Sequence, residues 1–151
     1  MKVKIVSPEK LYPVRHKVLR PGKPISSAYY DRDNDLDTIH FAFFEKSKIC
    51  SIASFYPESF IHIYSVKAYR LRGMATLPSF RRKGYGRIVM REAIRHLKNI
   101  QCDMLWCKAR IIAIPFYKSL GFEVVGNEYD IEDIGPHYTM YKTLQLNKKR
   151  D

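Results

Sequence analysis

The chain has 151 residues, 46% of them hydrophobic and 13% aromatic, values that fit one globular domain with its own core and exclude a disordered chain. Lys and Arg number 27 against 15 for Asp and Glu, a net charge of +12, so an acidic partner is expected: an anionic cofactor, nucleic acid or an anionic surface. Cys50, Cys102 and Cys107 form no CxxC pair, which speaks against a disulfide framework or zinc site and for a reducing cytoplasm; neither a signal peptide nor a membrane-spanning run is expected.

Val3 and Ile5 predict a short first strand ended by Ser7-Pro8. Ser7 as cap and Pro8 at the first position open a helix through Leu11, Val14, Val18 and Leu19, with Pro13 set to kink or delay it. Arg20-Pro21-Gly22-Lys23-Pro24 breaks regular structure. Asp31, Asp33, Asp35 and Asp37 follow at alternate positions. They lack the glycine and closing glutamate of a calcium loop and read as a solvated loop. Residues 38–45 and 49–56 predict a hairpin joined by Lys46-Ser47-Lys48, with Ile39, Phe41 and Phe43 on one face and His40, Ala42 and Phe44 on the other. Residues 59–67 are ambiguous, with at most a short extended piece.

The stretch from Tyr69 to Leu97 organises the rest. A strand over 69–77, with Gly73 as a natural bulge site, is closed by Pro78-Ser79. A basic turn, Arg81-Arg82-Lys83-Gly84-Tyr85-Gly86, then leads into a helix whose Ile88, Val89, Ala93, Leu97 and Ile100 recur at amphipathic spacing. Glycines permit close approach, the helix start offers free N–H groups, and three cations add charge. This combination suits a pyrophosphate. It is neither a Walker loop nor a three-glycine dinucleotide fingerprint. Arg87, Arg91, Arg95 and Lys98 form a basic stripe on the helix, read as a solvated face because no aromatic platform for nucleic acid accompanies it.

A fifth strand is expected over 104–109 and a short helix over 110–120, interrupted by Pro115 and capped by Gly121. A sixth strand begins at 122–125, a loop covers 127–137, a seventh strand spans 138–144, and the basic tail frays.

Arg81, Gly84 and Gly86 fill the fixed positions of the pattern Arg/Gln-x-x-Gly-x-Gly/Ala. Downstream, Ala113-Ile114-Pro115-Phe116-Tyr117-Lys118-Ser119-Leu120-Gly121-Phe122 has the form of a short helix ending in a Leu-Gly-Phe turn. In order and separation these two motifs resemble the GNAT superfamily of acetyl-CoA-dependent N-acyltransferases, across most of the chain. The resemblance implies a single α/β domain, with a core over about 3–144, built on a twisted, mostly antiparallel sheet of about seven strands with helices on both faces. It further implies acetyl-CoA as co-substrate, no metal, and transfer of acetyl to a primary amine by direct attack. Met74, Ala75 and Thr76 would hydrogen-bond the pantetheine arm through their backbone, beside a bulge at Gly73. Arg81, Arg82, Lys83, Gly84, Tyr85, Gly86 and Arg87 would surround the pyrophosphate. Arg110, Ala113 and Phe116 belong to the second motif, although many members carry Asn at the position of Arg110. Tyr117 matches the tyrosine that protonates the CoA thiolate.

A general base is not assigned. The fourth-strand glutamate of several family members is absent from Arg70-Leu71-Arg72, leaving His137, Glu128, Asp130, His62 or water. Of these His137, which follows Gly135-Pro136 in the expected late loop, is the one placed to meet a ligand, and histidine is a residue type suited to proton transfer. Cys107 reads as a buried structural thiol. The acceptor amine is unidentified; the acidic run near residues 31–37 borders the expected acceptor groove and would draw a cationic amine. Membrane and nucleic-acid partners are not expected, and a homodimer is left open. The rival class is a non-catalytic acyl-CoA sensor or a basic nucleic-acid-associated module.

Overall fold

The computed structural model describes residues 2–146; the basic tail expected to fray, residues 145–151, lies outside the described ones from residue 147 on. In chain order the elements are β1 (Lys2–Val6), α1 (Tyr12–Leu19), β2 (Ile39–Glu45), β3 (Lys48–Pro57), β4 (Ala68–Thr76), α2 (Tyr85–Asn99), β5 (Met104–Arg110), α3 (Ile114–Ser119), β6 (Glu123–Ile131) and β7 (Gly135–Thr143). The seven strands form one sheet in the order β1-β2-β3-β4-β5-β7-β6. The pairs β1–β2, β2–β3, β5–β7 and β6–β7 are antiparallel. Two compact units divide the chain: Met1–Pro57 with Leu71–His96, and Glu58–Arg70 with Leu97–Asp151.

In the first unit the alternation of β2 distributes its side chains to two helices. Ala42 packs with Ile52, Leu11 and Val14 on the α1 side. Phe41 and Phe43 meet α2, with Phe41 against His96 and Phe43 stacked on Tyr85 at 4.3 Å. Both faces of β2 are therefore covered, which is why Phe41 and Phe43 on one face and Ala42 on the other are buried alike. Pro13 delays α1 rather than kinking it. The chain makes a 3-10 turn over Pro8–Lys10 and starts α1 at Tyr12 with proline in its first turn, where no N–H is needed. Ser7 does not cap; its hydroxyl donates to Glu9 at 2.6 Å. On α2 the buried face is Tyr85, Val89, Met90, Ala93 and Leu97, and Ile88, expected on that face, is exposed.

The second unit has a core of Phe60, Met104 and Trp106, with Ile63, Ala68, Val125 and Tyr141 packed on it. Residues 59–67 contain no strand, yet they are tied down. The Asp103 carboxylate accepts the backbone N–H groups of Val66 and Lys67, each at 2.8 Å, and Trp106 Nε1 donates to the Glu58 carbonyl at 3.0 Å. The late loop is the largest departure from expectation. Residues 127–137 lie mostly in strands: β6 continues to Ile131 and β7 starts at Gly135. A register shift between Val125 and Tyr129 absorbs Gly126, whose φ is +79°. That irregularity interrupts the alternation that a sequence pattern relies on.

Candidate active site

In the first unit the site is built at the junction of β4 and α2. Leu77 N–H donates to the Cys50 carbonyl at 2.9 Å and fixes the end of β4 to β3. A 3-10 turn over Pro78–Phe80 follows, and the Arg81 guanidinium Nε donates back to the Thr76 carbonyl at 3.3 Å. Arg82 and Gly84 adopt left-handed φ of +63° and +80°. The chain is thereby turned so that Gly84 carbonyl accepts Ile88 N–H at 3.1 Å as the opening bond of α2. The first N–H groups of a helix have no carbonyl of their own helix to meet, and no acidic residue occupies the first turn here.

Tyr85 pins this junction from below. Its ring stacks on Phe43, and its hydroxyl donates to Glu45 Oε2 at 2.8 Å. That hydrogen bond raises the phenol above its ordinary pKa. Lys48 and Lys83 lie over the Phe80 ring, at 5.4 and 5.3 Å. Arg81, Arg82 and Lys83 are exposed. A Cβ built on Gly84 would meet nothing within 4 Å. Open space at Gly84, helix-start amides and three exposed cations beside them fit a diphosphate.

Upstream, Gly73 of β4 has φ +66°, a left-handed residue inside a strand as found at bulges. Beside it lies a buried polar network that the sequence reading missed. Arg15, fully buried on α1, donates through Nη1 to Asp33 Oδ2 at 2.7 Å and to the Ala28 carbonyl at 2.8 Å. Its Nη2 reaches Asp33 Oδ1 at 3.3 Å, Ser54 Oγ at 2.9 Å and the Tyr56 hydroxyl at 3.4 Å. Tyr56 donates to Asp33 at 2.5 Å, and Tyr30 N–H to the same carboxylate at 2.9 Å. Burial alone would raise the Asp33 carboxyl, but the hydrogen bonds from Arg15 and Tyr56 overcome it and hold the group below its ordinary range. His40 Nε2 faces the Asp33 carbonyl at 2.8 Å and Nδ1 faces Ser54 Oγ at 2.6 Å. A carbonyl only accepts, so Nε2 carries the hydrogen and Nδ1 accepts from Ser54. Burial lowers the His40 pKa in keeping with that neutral ring. Asp33 is therefore no part of a solvated acidic loop; Asp31, Asp35 and Asp37 are the exposed members.

The missed network had a signal. Arg15 follows Leu11 by one helical turn, so it occupies a core position of α1, and a charge there demands a buried partner.

In the second unit Tyr117 of α3 is buried, its ring 5.4 Å from Phe122. Pro115 stands in the first turn of α3 rather than interrupting it. Gly121, at φ +91°, closes the helix, with Phe122 N–H donating to the Tyr117 carbonyl at 3.1 Å. Burial, and secondarily Cys107, push the Tyr117 phenol well above its ordinary pKa. Burial likewise pushes the Cys107 thiol up to about 12 against a lowering field from Arg70. Cys107 is thus a protonated structural thiol, unsuited to nucleophilic attack.

Arg110 closes β5 instead of opening a helix, and its register partner on β7 is His137. His137 is consequently a strand residue and not a loop residue. It is 4% exposed, with Nδ1 facing the Gly135 carbonyl at 2.8 Å and its ring stacked on Tyr129. Glu128 and Asp130 on β6, and His62, are exposed. Among the described residues no three His, Cys, Asp or Glu side chains gather as a metal site. No described helix is long and apolar enough to cross a membrane.

Here a strand with a left-handed glycine leads through a basic glycine turn into a helix, as the resemblance to acyl-CoA N-acyltransferases implies. The family model described as Acetyltransferase (GNAT) family matches residues 8–122, and the chain belongs to this family of acyltransferases. It is 36% identical over 148 residues to the uncharacterized N-acetyltransferase YitI of Bacillus subtilis, covering 98% of this chain and 99% of that protein. Two solved structures share the fold. An aminoglycoside 6'-N-acetyltransferase complexed with coenzyme A superposes with a TM-score of 0.76 at 13% identity, over 99% of this chain and 100% of the other. The ribosomal-protein-S18-alanine N-acetyltransferase of Escherichia coli gives 0.69 at 18% identity, over 98% and 97%.

Proposed function

We propose that the protein transfers the acetyl group of acetyl-CoA to a primary amine by direct attack. The observation that carries this reading is the junction at Gly84, where left-handed backbone, open space and three cations precede the start of α2. In this reading Arg81, Arg82, Lys83 and the amides from Gly84 to Arg87 hold the pyrophosphate. The backbone of Met74, Ala75 and Thr76 holds the pantetheine arm, and Arg110, Ala113 and Phe116 border it. The amine nitrogen bonds to the thioester carbon, the C–S bond breaks, and the amine's proton leaves to water. Tyr117 gives its proton to the departing thiolate. A phenol is protonated at neutral pH even at its ordinary pKa of about 10, so the proton is present when the thiolate forms; burial, which raises that pKa, holds it more tightly.

Calorimetric titration with acetyl-CoA tests the cofactor, and thiolate release in the presence of an amine panel tests the chemistry. Wild type is expected to bind and to release thiolate only when a suitable amine is added. Tyr117→Phe, which keeps the ring contacts with Phe116 and Phe122, is expected to lower kcat by about 10²-fold, the low end for a general acid, with acetyl-CoA affinity unchanged. Binding without amine-dependent release would instead identify a sensor.

A further inference from the structure

We propose that Arg15 is a positioning residue for acyl transfer: a buried guanidinium that shapes β4 at Gly73 and so sets the backbone that receives the pantetheine arm. The proposal rests on the acetyl-CoA reading above. All hydrogens on the two terminal nitrogens of Arg15 are directed at Ala28, Asp33, Ser54 and Tyr56. Its Nε has no partner although it is buried. That same Nε lies 3.1 Å from where a Gly73 Cβ would stand, with the Tyr30 ring at 3.4 Å on the same spot.

A side chain needed only to fill this slot would be apolar, because a buried ion pair is usually no more stabilising than hydrophobic residues of equal volume. An orphaned buried N–H adds a further cost. What the guanidinium supplies is a rigid plane. It is clamped at its far edge by four groups and carries the Tyr30 ring at 4.0 Å, while Arg72, the neighbour of Gly73, lies over that same ring at 4.5 Å. Gly73 is therefore glycine for two reasons, its φ of +66° and the guanidinium standing 3.1 Å from where a Cβ would be. The backbone leaving this point is held from β3 as well, since Ser51 Oγ donates to the Ala75 carbonyl at 3.3 Å and meets Thr76 Oγ1 at 2.8 Å. Arg15 fixes the start of this segment and Ser51 its end, and Met74, Ala75 and Thr76 lie between.

Calorimetry with two ligands reads this directly: acetyl-CoA, and 3′-phosphoadenosine 5′-diphosphate, which keeps the diphosphate but lacks the pantetheine arm. Arg15→Lys retains the charge and loses the plane. It is expected to bind the nucleotide within about twofold of wild type and acetyl-CoA at least tenfold more weakly. With the best amine of the panel, kcat should fall further than KM rises. Gly73→Ala should show the same split. Val14→Ala, a core deletion on the same helix, controls for lost stability and should leave the ratio of the two affinities at the wild-type value. Equal weakening of both ligands in Arg15→Lys, or the same split in Val14→Ala, overturns the proposal. Should Arg15→Lys not fold, the double variant Arg15→Met with Asp33→Leu, which leaves no charge buried alone, takes its place, and an unchanged ratio of the two affinities in it overturns the proposal. Failure of the acetyl-CoA reading looks different, since wild type itself then binds neither ligand.

Discussion

Replacing Gly84 with valine is expected to weaken acetyl-CoA binding by at least 100-fold, about 2.7 kcal/mol. A clash within the protein is not the cause, because a Cβ at this position meets nothing within 4 Å. Two other effects add. At φ +80° a β-branched residue is strained by roughly 1–3 kcal/mol, and the turn relieves that strain by rotating the amides that open α2 away from the ligand. The new side chain also enters the space through which a diphosphate must approach. Gly86→Glu, in the first turn of α2, adds a charge of the wrong sign beside an anion and is expected to be at least as damaging. Gly84→Ala should lie between, because it adds strain with little bulk. Calorimetry measures the affinities, and the thermal upshift given by saturating acetyl-CoA should vanish in both large variants. Their ligand-free melting points should move by only a few degrees, since Gly84 and its cationic neighbours are exposed. Wild-type affinity in Gly84→Val would remove the junction from the binding site.

Sequence periodicity located this junction because its determinants are local. Glycines at fixed spacing, a proline closing β4 and an apolar stripe on α2 all lie within about thirty consecutive residues, and each follows from backbone geometry. The β2–β3 hairpin was legible for the same reason. What escaped depends on partners far apart in the chain. Arg15 and Asp33 are 18 residues apart, and Arg15 and Tyr56 are 41 apart; nothing local to Asp33 distinguishes it from its exposed neighbours Asp31 and Asp35. The misreading of residues 127–137 as a loop has a related origin. Acidic residues and a Gly-Pro pair look like turn chemistry, but edge strand β6 tolerates exposed charges at Glu128 and Asp130, and only Glu132 to Ile134 turn. Placing His137 in β7 followed from that pairing alone.

The Arg15–Asp33 pair supports a second large effect. Asp33→Ala leaves a fully buried guanidinium without its counter-ion, and Tyr56 and Tyr30 without their acceptor. Breaking a buried pair in this way costs about 3–5 kcal/mol. At about 2–4 °C per kcal/mol for a chain of this size, the melting point is expected to drop by about 6–20 °C. The effect depends on pH with a definite sign. The folded Asp33 carboxyl is depressed, so its contribution is complete above the unfolded value of about 4 and is lost as pH falls through the lower folded value. The wild-type advantage over Asp33→Ala should therefore be widest above pH of about 4 and narrow in acid. His40, held neutral by burial, begins to cost wild type stability earlier, as pH falls below about 6.5, because the unfolded ring takes up a proton that the folded one refuses. The double variant Arg15→Met with Asp33→Leu removes both charges together and should recover part of the lost stability, since no charge is left buried alone, while Tyr56 and Tyr30 still lack their acceptor. It restores the volume of the core but not the rigid plane against Gly73. A double variant that melts above Asp33→Ala and still binds acetyl-CoA more weakly, with unchanged affinity for 3′-phosphoadenosine 5′-diphosphate, would separate what this ion pair does for stability from what it does for the pantetheine arm.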